Sequence, residues 1–227
     1  MANAQEKKNV GIVRDLVTGK GTVCFLHTDK PNTGGTYPSG KYEVTFLFDK
    51  KDTATVNTLT DAALKAAKEK WGDKLTRKDI KIGIKNGDEK ANLDGFAGKW
   101  FINPKSKKKP LIVGGDRQPL PEGVTLQSND VCRISVSAGC YPNNLEKDAA
   151  DAFKAAGKTV MVDKDENGKV VYYRPAVTFY LDMVQRCAGG VPFGAKANPN
   201  AFPEEAEGGF QQGEGPEEVT AEANPFG

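Results

Sequence analysis

Apolar residues recur at every second position in short runs through the first fifty residues. Tyr42, Val44, Phe46 and Phe48 alternate with Glu43, Thr45 and Leu47, which predicts a strand with one face toward a core. Residues 10–16 and 21–27 read as two earlier strands around a glycine-containing turn. Residues 28–40 hold Pro31, Gly34, Gly35 and Pro38 and predict an exposed loop. The period then changes. Val56, Leu59, Ala63, Ala66, Ala67 and Trp71 share one stripe at helical spacing, lysines 65, 68 and 70 fall outside it, and Gly72 follows as a stop. Residues 54–71 are therefore an amphipathic helix, expected over a barrel opening or against a sheet.

Strand patterns return further on. Residues 80–84 alternate, 99–103 form a short apolar run, and 111–113 (Leu-Ile-Val) form another. With Pro104-Lys-Ser-Lys-Lys-Lys-Pro110 between them, 99–113 predicts a hairpin with a four-lysine tip. In residues 131–138, Cys132, Ile134 and Val136 face one way and Arg133, Ser135 and Ser137 the other. Leu145, Ala149, Ala152, Phe153 and Ala156 suit a short helix ending at Gly157. Asn167-Gly168 lies between the β-rich runs 159–163 and 169–174, a hairpin signal. Residues 177–184 close the pattern, with Val177, Phe179, Leu181 and Met183 expected inward. Beyond 194 the periodicity is lost, so 195–227 is expected to be a flexible, disordered tail that cannot bury enough apolar surface to fold alone.

Charge divides the chain at the same place. The net charge is +2, yet residues 201–227 carry seven glutamates and no lysine or arginine. A basic body with an acidic tail suits a polyanionic partner for the body and a tail that can compete for the same surface. No run of about 18 apolar residues occurs, which argues against a helical membrane span. The polar N-terminal residues lack the apolar stretch of a secretory signal, so a cytoplasmic location is expected. Cys24, Cys132, Cys140 and Cys187 form no C-x-x-C pair and the single histidine is His27, so they read as core thiols and a loop residue, not as metal ligands. Nucleotide-loop and nucleophile-elbow motifs are absent; no enzyme and no cofactor is expected.

One candidate chemistry remains. Binding single strands without sequence preference takes cations along the phosphates and flat rings under the bases. Lys99, Trp100 and Phe101 put a cation beside two rings, next to Lys105, Lys107, Lys108 and Lys109; Tyr172, Tyr173 and Arg174 form a second such cluster, and Arg133 with Tyr141 a third. Tyr42 is a further ring for stacking. Trp100 and Phe101 point to opposite faces of a strand, so one of them belongs to the core. Taken singly, an aromatic on a strand usually packs and a lysine-rich tip is usually just solvated. The recurrence of the pairing favours binding over two rivals, a structural virion or assembly protein and a metal-dependent nuclease or recombination enzyme.

The order of these pieces, from Tyr42–Phe48 through the helix and the Trp100–Val113 segment to the late Val184-Gln-Arg-Cys-Ala-Gly-Gly-Val-Pro-Phe-Gly194, resembles phage-encoded single-stranded DNA-binding proteins over residues 10–194. The resemblance implies a mainly β, OB-fold-like Greek-key barrel with one or two helices and added hairpins. It implies protection of single-stranded DNA during phage replication and recombination in the infected host cell. The body would be 1–194 and the acidic tail 195–227, contacting replication and recombination proteins, with Phe226 as an aromatic anchor. Two departures stand out: 142–174 is long for a link between late barrel strands, and the tail has no long Asp/Glu run.

Overall fold

The computed structural model describes residues 10–190. The tail expected over 195–227, with Phe226, lies outside the described residues. Strands β1 (Ile12–Val17), β2 (Gly21–His27) and β3 (Tyr42–Asp49) lead into helix α1 (Thr53–Trp71). Short strands follow: β4 (Lys81–Ile82), β5 (Lys85–Asn86), β6 (Lys99–Ile102), β7 (Lys105–Ser106) and β8 (Leu111–Val113). The long strands β9 (Val131–Leu145) and β11 (Val170–Ala188) enclose α2 (Lys147–Ala155) and β10 (Met161–Lys164).

The pairings close a ring. β2 pairs with β3 and β9, β9 with β11, β11 with β7, and β7 with β3. β6 and β7 run along the same partner, β3, on either side of Asn103-Pro104, and act as one broken strand. Numbered along the chain, the barrel strands β2, β3, β6–β7, β9 and β11 follow one another in space as 1-2-3-5-4. The fourth and fifth exchange places, the Greek-key arrangement of an OB barrel. β7 and β11 are parallel while the other barrel pairs are antiparallel.

The alternation predicted for β3 and β9 sets the core. Val44, Phe46 and Phe48 meet Val23, Ile102, Cys132, Ile134, Val136, Val177 and Leu181, all buried. Helix α1 packs its stripe against β1, β9 and β11, with Leu59, Ala63, Ala66 and Ala67 fully enclosed. The Asp52 carboxylate caps it by accepting from the Thr55 amide at 3.0 Å. A smaller apolar cluster covers the other face of β3, where Leu47 packs with Cys24, Phe96 and Phe101.

Several expectations are corrected. Residues 99–113 are no hairpin: β8 leaves β6 and pairs in parallel with β11. The runs 169–174 and 177–184 are one continuous strand, β11, carrying Pro175 opposite Pro142 of β9. Met183 is not inward. A bulge between Leu181 and Met183 inserts Asp182, whose carboxylate accepts from the Ser137 hydroxyl at 2.6 Å, and shifts the inward position to Val184. Leu145 belongs to β9, leaving α2 a helix with one buried side chain, Ala150. Of the four thiols, Cys24 and Cys132 are buried and Cys140 and Cys187 half-buried, all free. Burial pushes the Cys24 and Cys132 thiols up to about 12.

Candidate nucleic-acid interface

A groove of about 610 Å³ opens on the outer face of β3 and the broken β6–β7 strand, under the 28–41 loop. Glu43, Thr45, Phe101, Asn103 and Lys105 form its floor, and Phe25, His27, Tyr37, Lys90 and Phe96 its sides. Two rings stand open to solvent here: Phe25 is 56% exposed and Tyr37 86%. Phe25 owes its position to a bulge. Cys24 pairs with Thr45 and His27 with Glu43, so Phe25 and Leu26 share the space opposite Val44. Leu26 packs on the core, and Phe25, at φ 48°, is turned outward to within 6.2 Å of the Phe96 ring. Left-handed backbone at a bulky residue is costly, on the order of 1–3 kcal/mol, and marks a side chain deliberately re-aimed.

The loop is fastened at its base by one carboxylate. Glu43 accepts from the Asn32 side-chain amide at 2.6 Å and the Ser39 hydroxyl at 2.9 Å, and it pairs with the Lys105 ammonium at 2.6 Å. Burial alone would raise its pKa; these donors outweigh burial and hold the carboxyl below its ordinary value. The cations opposite are crowded. Lys85 and Lys90 hold their ammonium groups 5.6 and 5.7 Å from the centre of the Phe101 ring. Partial desolvation there, then repulsion from Lys90, Lys105 and Lys81, push the Lys85 ammonium below its ordinary lysine value. Mutually repelling cations beside exposed rings are matched by a chain of phosphates and bases.

Residues 14–210 match the family model of the single-stranded DNA-binding protein of Enterobacter phage Enc34. The chain belongs to the Enc34 single-stranded DNA-binding protein family. Protein p50 of Acyrthosiphon pisum secondary endosymbiont phage 1 is 26% identical over 111 residues, 45% of this chain and 55% of that protein. The chain thus spans about half the length of that curated relative. Among solved structures, the C-terminally truncated single-stranded DNA-binding protein of bacteriophage Enc34 superposes with a TM-score of 0.50 at 15% identity, covering 81% of this chain and 88% of the other. The structure of that bacteriophage's protein in complex with single-stranded DNA gives a TM-score of 0.49 at 17% identity, covering 81% and 90%.

In this Enc34-family chain the residues expected to meet DNA do not form one cluster. Lys105 and Phe101 line the groove, although Phe101 is only 2% exposed beneath its two lysines. Trp100 points to the opposite face, half-buried against the main core, with the Lys50 ammonium over its ring. Lys99 pairs with Asp49 at 3.1 Å and Lys109 with Asp29 at 3.3 Å, while Lys107 and Lys108 are exposed in the β7–β8 turn. Tyr42 shares the core-side face of β3. Arg133 lies elsewhere on the outer surface, beside Arg117, Leu111 and Gln185. Tyr141, Tyr173 and Arg174 lie where β9 and β11 run out past the barrel. There Tyr173 packs on Trp71, and Arg174 donates to the carbonyls of Lys78, Asp79 and Ile80.

Phe25, Tyr37, His27, Lys85 and Lys90 escaped the sequence reading. Tyr37 had a signal, since an aromatic in a Gly/Pro loop has no core to enter. Phe25 had none, because strict alternation places it on the inward face with Val23.

Proposed function

We propose that this chain binds single-stranded DNA without sequence preference in the groove, and that it protects such strands during phage replication and recombination inside the infected cell. The observation that carries the proposal is the pairing of two exposed rings, Phe25 and Tyr37, with the mutually repelling lysines 85, 90 and 105. Their location supports it: the face of the second and third barrel strands and the loop between the first and second are where OB barrels receive oligonucleotides. Bases stack on Phe25 and Tyr37, and phosphates replace Glu43 and one another's counterions around the lysines. Membership of the Enc34 family fits the same reading. The role is one of binding, without chemistry and without a cofactor. Residues 1–194 form the binding body, and residues 195–227 act as an acidic tail that competes for the groove or contacts partner proteins, with Phe226 as its anchor. Of the wider set of cations and rings, Lys107, Lys108, Arg133 and Tyr141 would extend contacts beyond the groove.

Fluorescence anisotropy with a labelled oligo-dT tests this at two salt concentrations, on the full chain and on a chain ending at residue 200. Binding is expected to weaken steeply with salt, with a log–log slope of about −0.7 for each phosphate neutralised on a single strand. Truncation is expected to tighten it. Unchanged affinity on truncation would leave the tail to partner proteins alone, and absence of binding by both chains would overturn the proposal.

A further inference from the structure

The outer surface of the barrel continues from the groove across β7 onto β11 and β9. Tyr180 of β11 is 41% exposed there. Its direct partner on β9 is Ser137, and Gly139 is the partner of Thr178. The Tyr180 ring leans diagonally over that glycine: a Cβ on Gly139 would stand 2.3 Å from Cε2 and 3.4 Å from Cζ. The backbone at Gly139 is not in the left-handed region, so other residues could adopt it. What the missing side chain provides is room for the ring to lie along the sheet. Glycine inside a strand weakens it, and it commonly marks a place where something must approach closely.

The ring also lies between two lysines. Lys105, which lines the groove, is Tyr180's partner across β7 and β11. On its other side Tyr180 borders a depression of about 280 Å³ that includes Ile12, Cys140 and Lys70, whose exposed ammonium donates to the Cys140 carbonyl at 3.4 Å. Adjacent strands are about 4.8 Å apart, so Tyr180 stands about 10 Å, two strand spacings, from the β3 wall of the groove. An exposed ring on a flat seat, on the same face as the groove and with a cation on either side, has the form of a base-stacking position.

We infer that Tyr180, seated on Gly139, is a second stacking platform, which carries a single strand out of the groove over β7 toward Lys70. The inference rests on the function proposed above. A ring over a strand glycine also shields backbone, so the test must separate stacking from cover. Tyr180→Leu keeps an apolar cover and removes the stack, whereas Tyr180→Phe keeps both. With oligo-dT of increasing length, Tyr180→Leu is expected to bind short strands like the wild type and long strands about tenfold more weakly, within the range of one stacked base. Tyr180→Phe stays within about twofold at every length. In the wild-type chain, an oligo-dT carrying 5-iododeoxyuridine is expected to crosslink at Tyr180 on irradiation, which also decides the matter if the leucine variant fails to fold. Equal affinities of wild type and Tyr180→Leu for long strands, or crosslinks confined to other residues, overturn the platform and leave the groove standing. Failure of the wild-type chain to bind any oligo-dT overturns the proposed function, and the platform with it.

Discussion

The groove and the outer arm of β9 and β11 both set cations beside rings, but in the groove the rings of Phe25 and Tyr37 stand open to solvent, whereas the arm's rings are half-buried. In the arm the Lys154 ammonium sits 5.1 Å from the centre of the Tyr172 ring, and Lys158 and Arg174 sit 5.0 and 5.4 Å from the centre of Phe153. Arg174 spends its donors on three backbone carbonyls, and Tyr173 leans on Trp71. The arm's contacts hold α2 and the 76–80 turn against the long strands. In the groove the rings of Phe25 and Tyr37 are open, Lys105 is held by Glu43, and Lys90 and Lys105 repel the Lys85 ammonium. Adjacency of charge and ring is therefore no sign of binding by itself; what separates the two regions is how far the rings stand open to solvent.

Three experiments bear on that contrast, beginning with the largest effect. Replacing Lys85, Lys90 and Lys105 together by alanine should lower affinity for oligo-dT about a hundredfold at moderate salt and flatten the salt slope by about two units. The matching arm variant, Lys154, Lys158 and Lys164 to alanine, should change affinity less than about threefold. Equal losses from the two triples would erase the distinction.

The second comparison concerns stability. Asp79 ties the 76–80 turn to the α2–β10 connection, accepting from the amide and hydroxyl of both Thr76 and Thr159. Burial alone would raise its pKa, yet these donors outweigh burial and lower it to about 2. Asp79→Ala should cost about 1–3 kcal/mol in denaturant unfolding, since four part-buried hydrogen bonds lose their buried acceptor. The pH dependence has a definite sign. A carboxyl whose folded pKa lies below its unfolded value stabilises fully above the ordinary carboxylate range, and the contribution is lost as pH falls from about 4 toward 2. The variant should lack that part of the acid destabilisation and keep its affinity for DNA wherever it is folded.

The third comparison is the finest. Tyr37→Ala should weaken binding about tenfold and leave unfolding unchanged, because its ring is open to solvent. Tyr173→Ala should do the reverse, destabilising by about 1–2 kcal/mol through the lost ring contact while binding stays within about twofold.

The barrel was legible in the sequence where periodicity is strict. Strands β3 and β9 and helix α1 carry clean patterns, and each has one face committed to the core. The pattern failed where local register breaks. Bulges at Phe25 and Asp182 each reverse the side a residue faces, which alternation cannot foresee. Pairing was also hidden: the lysine-rich segment 104–110 looks like a hairpin tip, but β8 finds its partner some seventy residues away in β11. The site was half legible for the same reason. Lys105 was readable as a cation next to a strand, whereas Lys85 sits on the two-residue β5 opposite Phe101, and Lys90 reaches the groove from the turn that follows, placed by the packing of Phe96 under Leu47. Arm residues such as Arg174 carry the same sequence signal as the groove, and only the exposure of the neighbouring rings tells the two apart.

The closed ring of strands has one more consequence. A closed barrel offers no long row of unpaired amides to a neighbour. The strands outside the ring are poor templates as well: β5 has two residues, β10 four with Asp163 and Lys164 among them, and β1 is broken by a bulge with Asp15 at φ 59°. Among the described residues, copies bound close together on one strand of DNA would find no open edge on the barrel itself along which to pair.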